Sequence, residues 1–128
     1  MTKKITFHGT NARFTKPNFN MVGENTDDMV FSNFGFFTTD SENYAADYAK
    51  YRTKYYGGEA VVLKFRISID NPYSILESEL AENCQDEESA ASFKAMLVEE
   101  GFDGLEICIP GKATEYCCFY LQQVEIAE

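Results

Sequence analysis

At 128 residues, 45% hydrophobic and 15% aromatic with 11 Phe and 8 Tyr, the chain has the length of one domain able to bury roughly two thirds of its unfolded surface, and its composition is that of a globular rather than a disordered chain. The formal charge of -10 is lopsided, since residues 1 to 66 hold nine Lys or Arg against seven Asp or Glu and residues 67 to 128 hold two against fourteen. An acidic C-terminal half repels a phosphate backbone at long range, which argues against broad, salt-sensitive nucleic-acid binding but leaves room for a nucleotide in a cleft.

One histidine and four cysteines, at 84, 108, 117 and 118 without a C-x-x-C pair, supply neither a zinc site nor a redox motif, so no metal is expected and the thiols read as reduced and mostly buried. The first residues meet polar side chains at once and no apolar run approaches spanning length. The expectation is a soluble, cytoplasmic protein without a membrane partner.

In chain order, Ile5-Thr6-Phe7-His8 alternates as a half-buried strand and stops at Gly9, which puts His8 at a strand end. Residues 11 to 33 lack a period and form a loop longer than a compact domain needs unless it covers a ligand, as a lid would. Phe34 to Thr38 reads as a short buried strand. Thr39-Asp40-Ser41-Glu42 has the form of a capping box opening a helix over 41 to 56, ended by Gly57-Gly58. Tyrosines at 44, 48, 51 and 55 fall along one face of that helix; core packing is expected for Tyr44, Tyr51 and Tyr55, and a site role for Tyr48.

Residues 60 to 69 alternate strictly, with Val61, Leu63, Phe65, Ile67 and Ile69 on one side, and predict a strand that Asn71-Pro72 breaks. A mixed stretch over 74 to 84 reads as a short helix, and Asp86 caps a helix over 87 to 100 that turns Phe93, Met96 and Leu97 to the core. Leu105 to Ile109 and Tyr116 to Leu121 flank Pro110-Gly111-Lys112 as a hairpin, with Val124 and Ile126 continuing the last strand. The order is α+β and rich in antiparallel strands, without repeats or linkers, and is read as one domain over 1 to 128.

Taken singly, His8 and Glu115 are ordinary strand-end residues. Taken in order with Phe7-His8-Gly9-Thr10, with Gly35-Phe36-Phe37-Thr38-Thr39-Asp40 running into a helix that reaches Tyr48-Ala49, and with Glu115-Tyr116 followed by apolar residues and Gln123, they resemble the signature blocks of the ADP-ribosyltransferase superfamily. The likeness is to its diphtheria-toxin-like and poly(ADP-ribose)-polymerase-like branch. With the Gly101-Phe102-Asp103-Gly104 turn it extends to the small phage-encoded members and covers nearly the whole chain.

The resemblance implies a split, mostly antiparallel two-sheet core with two or three helices, binding NAD between the His8 strand and the Glu115 strand. His8 then matches the histidine that binds the ribose on the adenosine side of NAD, Gly9 the residue whose backbone holds the carboxamide, and Thr10 a nearby hydroxyl. Phe37 and Tyr48 match the rings that sandwich nicotinamide, with Phe36 beside them, and Arg13 is a candidate pyrophosphate contact. Glu115 matches the catalytic carboxylate that stabilises an oxocarbenium-like ribose as the glycosidic bond breaks.

Departures are visible. Phe37 stands where many members have Tyr, Ala45 where a helix serine often supports the carboxamide, and Ala113 where arginine-modifying toxins carry Glu or Gln. The expected activity is mono-ADP-ribosylation with NAD as substrate and a protein acceptor favoured over nucleic acid, in a host cytoplasm if the source is a phage. The alternatives are an inactive acidic module of the same fold that docks a basic partner, and an NAD glycohydrolase. The RNA 2'-phosphotransferase branch needs additional His and Arg residues that a chain with one histidine does not supply.

Overall fold

The computed structural model describes residues 3 to 11 and 34 to 127. The expected lid, apart from Asn11, and Arg13 within it lie outside the described residues. Strand β1 spans Lys3–Thr10 and β2 Phe36–Thr39; helix α1 spans Glu42–Tyr56; strands β3 and β4 span Val61–Ser68 and Pro72–Leu76; helices α2 and α3 span Glu77–Asn83 and Glu87–Glu99; strands β5 and β6 span Gly104–Ile109 and Ala113–Cys118. A 3₁₀ turn over Leu121–Gln123 leads into β7, Val124–Ile126.

The seven described strands form one sheet, in the order β4-β5-β6-β2-β1-β3-β7. The β4–β5 pair is parallel and every other pair antiparallel. The expectation of two sheets is thereby corrected: the halves β1-β3-β7 and β2-β6-β5-β4 are continuous through a single registered pair, Phe7↔Thr39. By contrast β1 and β3 stay in register over the whole length of both, from Lys3↔Ser68 to Thr10↔Val61.

The sheet bends at that narrow junction. Phe36 on β2 and Phe65 on β3 lie two strand spacings apart, about 9.6 Å if the sheet were flat, yet their ring centroids are 5.2 Å apart. One core inside the bend gathers Phe36, Tyr116 and Cys118 from one half and Phe65, Ile67 and Val124 from the other. A second core lies between the outer face and the acidic helices, joining Leu105, Ile107 and Cys117 to Leu80 and Cys84 near α2 and to Ala90 and Leu97 of α3.

Local chemistry explains each element and each departure. Ser41 caps α1, its hydroxyl accepting from the Tyr44 N–H at 3.1 Å and satisfying one orphan donor of the first turn. The buried face of α1 is Ala45, Ala49 and Arg52, not the tyrosines. The reason is the closeness of α1 to β1: a Cβ on Gly9 would run into the Ala45 carbonyl and lie 3.1 Å from the Ala49 nitrogen, so only small side chains fit between. The tyrosine row turns outward, Tyr44 and Tyr48 half-buried, Tyr51 and Tyr55 45% and 62% exposed.

In α3, Leu97 and Ala90 are buried and Phe93 packs at the margin, whereas Met96, one residue and about 100° around the helix from Leu97, faces solvent. The 74 to 84 stretch divides into β4 and α2. Pro110-Gly111-Lys112 makes the expected hairpin turn, with Gly111 at φ 75° in the left-handed region that suits glycine. Val124 and Ile126 do not prolong β6; β7 crosses to the far edge and pairs with β3. Cys84, Cys117 and Cys118 are buried and Cys108 is exposed, and none of the four is in a disulfide among the described residues. No described helix is long and apolar enough to cross a membrane.

Because the atoms opposing a Gly9 side chain are backbone, α1 must move bodily to admit one. Gly9→Ala is expected to cost about 3 kcal/mol, the upper part of the usual range for overpacking, measured by urea denaturation. A loss below about 0.5 kcal/mol contradicts this packing.

Candidate functional site

Strand register sorts the predicted site residues onto faces. Residues paired across a ladder point to the same side of a sheet and neighbours along a strand to opposite sides. Glu115 pairs with Thr39 on β2 and with Ile107 on β5, and Thr39 in turn pairs with Phe7. Two residues along, Phe37 pairs with Cys117, so Glu115 and Phe37 share the outer, helix-covered face.

His8 follows Phe7 and turns the other way. Its ring stacks on Phe36 at 4.9 Å and meets Phe65 edge-on at 6.2 Å, inside the bend. There its Nδ1 lies 2.8 Å from the Phe37 carbonyl oxygen. A carbonyl only accepts, so Nδ1 carries the hydrogen, and the neutral ring presents Nε2 as an acceptor. Burial holds the imidazole below its usual 6.5, outweighing the upward pull of the Phe37 carbonyl, and the ring is therefore neutral at pH 7. His8 is thus a bond between the sheet halves as well as a candidate ligand.

Around Glu115 the structure adds residues that sequence reasoning did not single out. Burial first, and then the negative charge of Glu77 on the first turn of α2, pushes the Glu115 carboxyl up from its usual 4.5 to about 7. Burial, then Glu115, Glu77 and Tyr48, pushes the Tyr44 phenol up to about 12. Glu115, Glu77, Tyr44 and Tyr48 therefore form one electrostatic neighbourhood where the start of α1 and the start of α2 face the outer side of β6. Tyr44 was foreseeable only as a member of the tyrosine row, and Glu77 carried no sequence signal because β4 and α2 meet at an unmarked boundary.

A short junction sets this geometry. At the end of β2 the Asp40 N–H donates to the Thr114 carbonyl at 3.0 Å, and the Thr114 N–H donates to Asp40 Oδ1 at 3.0 Å. The Thr39 hydroxyl donates to the same Thr114 carbonyl at 3.1 Å and accepts from the Ser41 N–H at 3.2 Å. Thr39 and Asp40 therefore hold Thr114, which precedes Glu115, and the next residue, Ser41, caps the helix that carries Tyr44 and Tyr48.

The remaining candidates take structural places. Phe36 is 1% exposed and its ring serves as the seat of His8. Thr10 is fully buried at the end of β1. Gly9 lies against α1 through its Cα, as above. Gln123 closes the C-terminal turn: its Nε2 donates to the Ser68 and Asp103 carbonyls at 3.0 and 2.9 Å, and its Oε1 accepts from the Tyr120 N–H at 2.8 Å.

The raised Glu115 carboxyl has a consequence for stability whatever its function. Below pH 4.5 the group is protonated in the folded and unfolded chain alike. Between 4.5 and about 7 the folded state holds the proton that the unfolded state has lost, so stability falls as pH rises through that window and the full cost is present above it. Glu115→Gln is therefore expected to melt like the parent at pH 4 and several degrees higher at pH 8.5. That gain corresponds to about 2 kcal/mol, the pKa difference discounted for residual exposure. Equal melting temperatures at pH 8.5 contradict the desolvation of Glu115. No known protein-family profile, curated protein or solved structure matches this chain, so its functional reading rests on its own residues and geometry.

Proposed function

We propose that the protein is an NAD-dependent mono-ADP-ribosyltransferase that cleaves the nicotinamide glycosidic bond of NAD and passes ADP-ribose to a macromolecular acceptor. The observation that carries this reading is the electrostatics of Glu115: the groups that shift it are burial and another carboxylate, with no cation among them. Such a site is short of positive charge. NAD brings it, first as the pyridinium ring and then as the oxocarbenium-like ribose of the transition state, where a fixed, poorly hydrated carboxylate is worth far more than in water.

The parts fit that substrate. Tyr48 and Phe37 offer electron-rich ring faces to a pyridinium. Neutral His8, on the opposite face of the sheet from Glu115, serves the site indirectly: its Nδ1–H is committed to the Phe37 carbonyl and so holds the strand that carries the Phe37 ring. Glu115 stabilises positive charge building at the ribose as the C–N bonding pair leaves with neutral nicotinamide. The acceptor's nucleophile then forms the new bond to that carbon and gives up its proton. The Thr39-Asp40-Ser41 junction fixes the distance between the carboxylate and the tyrosines throughout.

Nicotinamide release from NAD by the purified protein, beside Glu115→Gln, tests the reading. Neutralising the carboxylate is expected to lower release about a hundredfold or more with little change in KM. Stimulation by host lysate identifies a macromolecular acceptor, and a single modified band rather than a ladder identifies mono-transfer. Release without stimulation by lysate identifies a glycohydrolase, and no release from the folded protein overturns the enzyme.

The pH profile is a separate check. The reactive form is ionised Glu115, so kcat/KM should rise with pH through about 7, the position of the carboxyl in the free protein. The profile of kcat should have its midpoint at lower pH, because bound NAD supplies the positive charge that favours ionisation. A flat profile between pH 5 and 8 contradicts the assignment of Glu115.

A further inference from the structure

The two acidic helices border an open groove of about 480 Å³, lined by Phe93 and Met96 of α3 and by the polar side chains of Asn83, Asp86, Glu88 and Ser92. Along α3, Asp86, Ser89, Phe93, Met96 and Glu100 recur at spacings of three and four and so share one face. From Asp86 to Glu100 that face runs about 21 Å. Phe93 packs at the margin of the outer core and Met96 is 45% exposed, so the middle of the groove is apolar and its two ends are charged.

The charge is of one sign. From Glu77 to Glu100 the sequence holds eight acidic residues and one basic residue, Lys94. All eight are exposed, and among the described residues none of them takes part in a salt bridge. Lys94 does not offset them at the surface: it is half-buried, and its ammonium lies 5.3 Å from the centroid of the Phe119 ring, which is 1% exposed.

Helix stability does not account for this placement. Glu79 and Asp86 serve as caps. Glu82, however, stands in the last turn of α2, and Glu99 and Glu100 end α3, with no basic residue in either last turn. Carboxylates there meet the negative end of the helix dipole and weaken the helix. Acids kept where they cost stability mark a place where a local rule yields to function. Among the described residues no three His, Cys, Asp or Glu side chains gather as a metal ion requires, so these carboxylates suit cations spread along a chain. The apolar middle suits an aliphatic side chain, to whose shape Met96 adapts.

We propose that this groove docks a Lys- and Arg-rich segment of a protein, with one aliphatic side chain on Phe93 and Met96 and cations on the carboxylates at both ends. The further step, that this protein is the acceptor, rests on the transferase reading; the groove does not. Helix α2 joins the two places. Its first residue, Glu77, acts on Glu115, and its last, Asn83, lines the groove, about 9 Å further along the axis. A segment held in the groove is therefore one short helix away from the carboxylate.

The test is fluorescence anisotropy with two labelled nine-residue peptides against the full chain, one of lysines only and one with leucine in place of the central lysine. Four proteins are compared: the parent, the fourfold variant Glu82→Gln/Glu88→Gln/Glu99→Gln/Glu100→Gln, Met96→Ser, and Glu115→Gln. The parent should bind the leucine peptide about fivefold more tightly despite its one charge fewer, the worth of a partly buried aliphatic side chain. The fourfold variant should bind both peptides about tenfold or more weakly and with a flatter salt dependence, because exposed ion pairs are small singly and four are lost. Met96→Ser should lose the preference for leucine and keep the salt dependence.

Glu115→Gln should bind both peptides as the parent does while losing nicotinamide release, which keeps failure of the transferase reading apart from failure of this one. Excess leucine peptide should lower the stimulation of release by lysate and leave release from NAD alone unchanged; undiminished stimulation overturns the acceptor step. The docking proposal is overturned by absence of binding at low salt, by equal affinity of the parent for the two peptides, or by binding unchanged in the fourfold variant. It is overturned equally by calcium ions that displace the peptide at constant ionic strength, or by self-association of the parent that the fourfold variant loses. The comparison of the two peptides on the parent decides the matter even without the fourfold variant.

Discussion

The fold turns on the hydrogen bond from His8 Nδ1 to the Phe37 carbonyl, 2.8 Å long, beside the single registered pair that joins β1 to β2. A sheet whose central strands were fully paired would twist smoothly and keep its halves apart. Here the ladder is cut to one pair, and a side chain takes over the bridging. The sheet folds along that line, and Phe36 and Phe65 close the inner core across it. Burial keeps the imidazole neutral, which suits a residue that donates one hydrogen bond from Nδ1 inside an apolar core.

What the inner core gains in packing, the outer face uses for charge. Glu115 is one strand away from the junction and shares its row with Thr39 and Phe7, so the fold line and the carboxylate are parts of one construction. Its burial and the nearness of Glu77 keep the proton on the carboxyl up to about neutral pH. The cost of such an arrangement is borne by the rest of the domain, and sites of this kind are where local rules are broken for function.

Much of this was legible in the sequence, and the parts that were not have physical reasons. Strict alternation located β3, and the Ser41 cap and paired glycines bounded α1, because those signals are local. Which face of α1 is buried was misread: periodicity shows that Tyr44, Tyr48, Tyr51 and Tyr55 share a face, but not that the backbone of Gly9 comes too close for rings. The same blindness to long-range pairing hid the path of β7 to the far edge and the parallel partnership of β4 with β5.

Of the candidate site, Phe37, Tyr48 and Glu115, and His8 on the opposite face, were named from the resemblance of short motifs to those of a known family. Tyr44, Glu77 and the hold of Asp40 on Thr114 came only from three dimensions. The two-sheet expectation failed by one pair of residues, a detail no motif encodes.

A sheet joined at its middle by one pair inverts the usual map of backbone protection. Amides in the central strands of a sheet normally exchange with solvent last and its edges first. In this molecule the slowest exchange is expected in two separate blocks, the β1–β3 ladder and the β2–β6–β5 ladders, with the thinnest backbone pairing between β1 and β2. Few backbone bonds hold that seam, so the inner core packed across it sets what opening costs. The residues best placed to feel each such excursion are His8 and Phe37, which sit on either side of the seam.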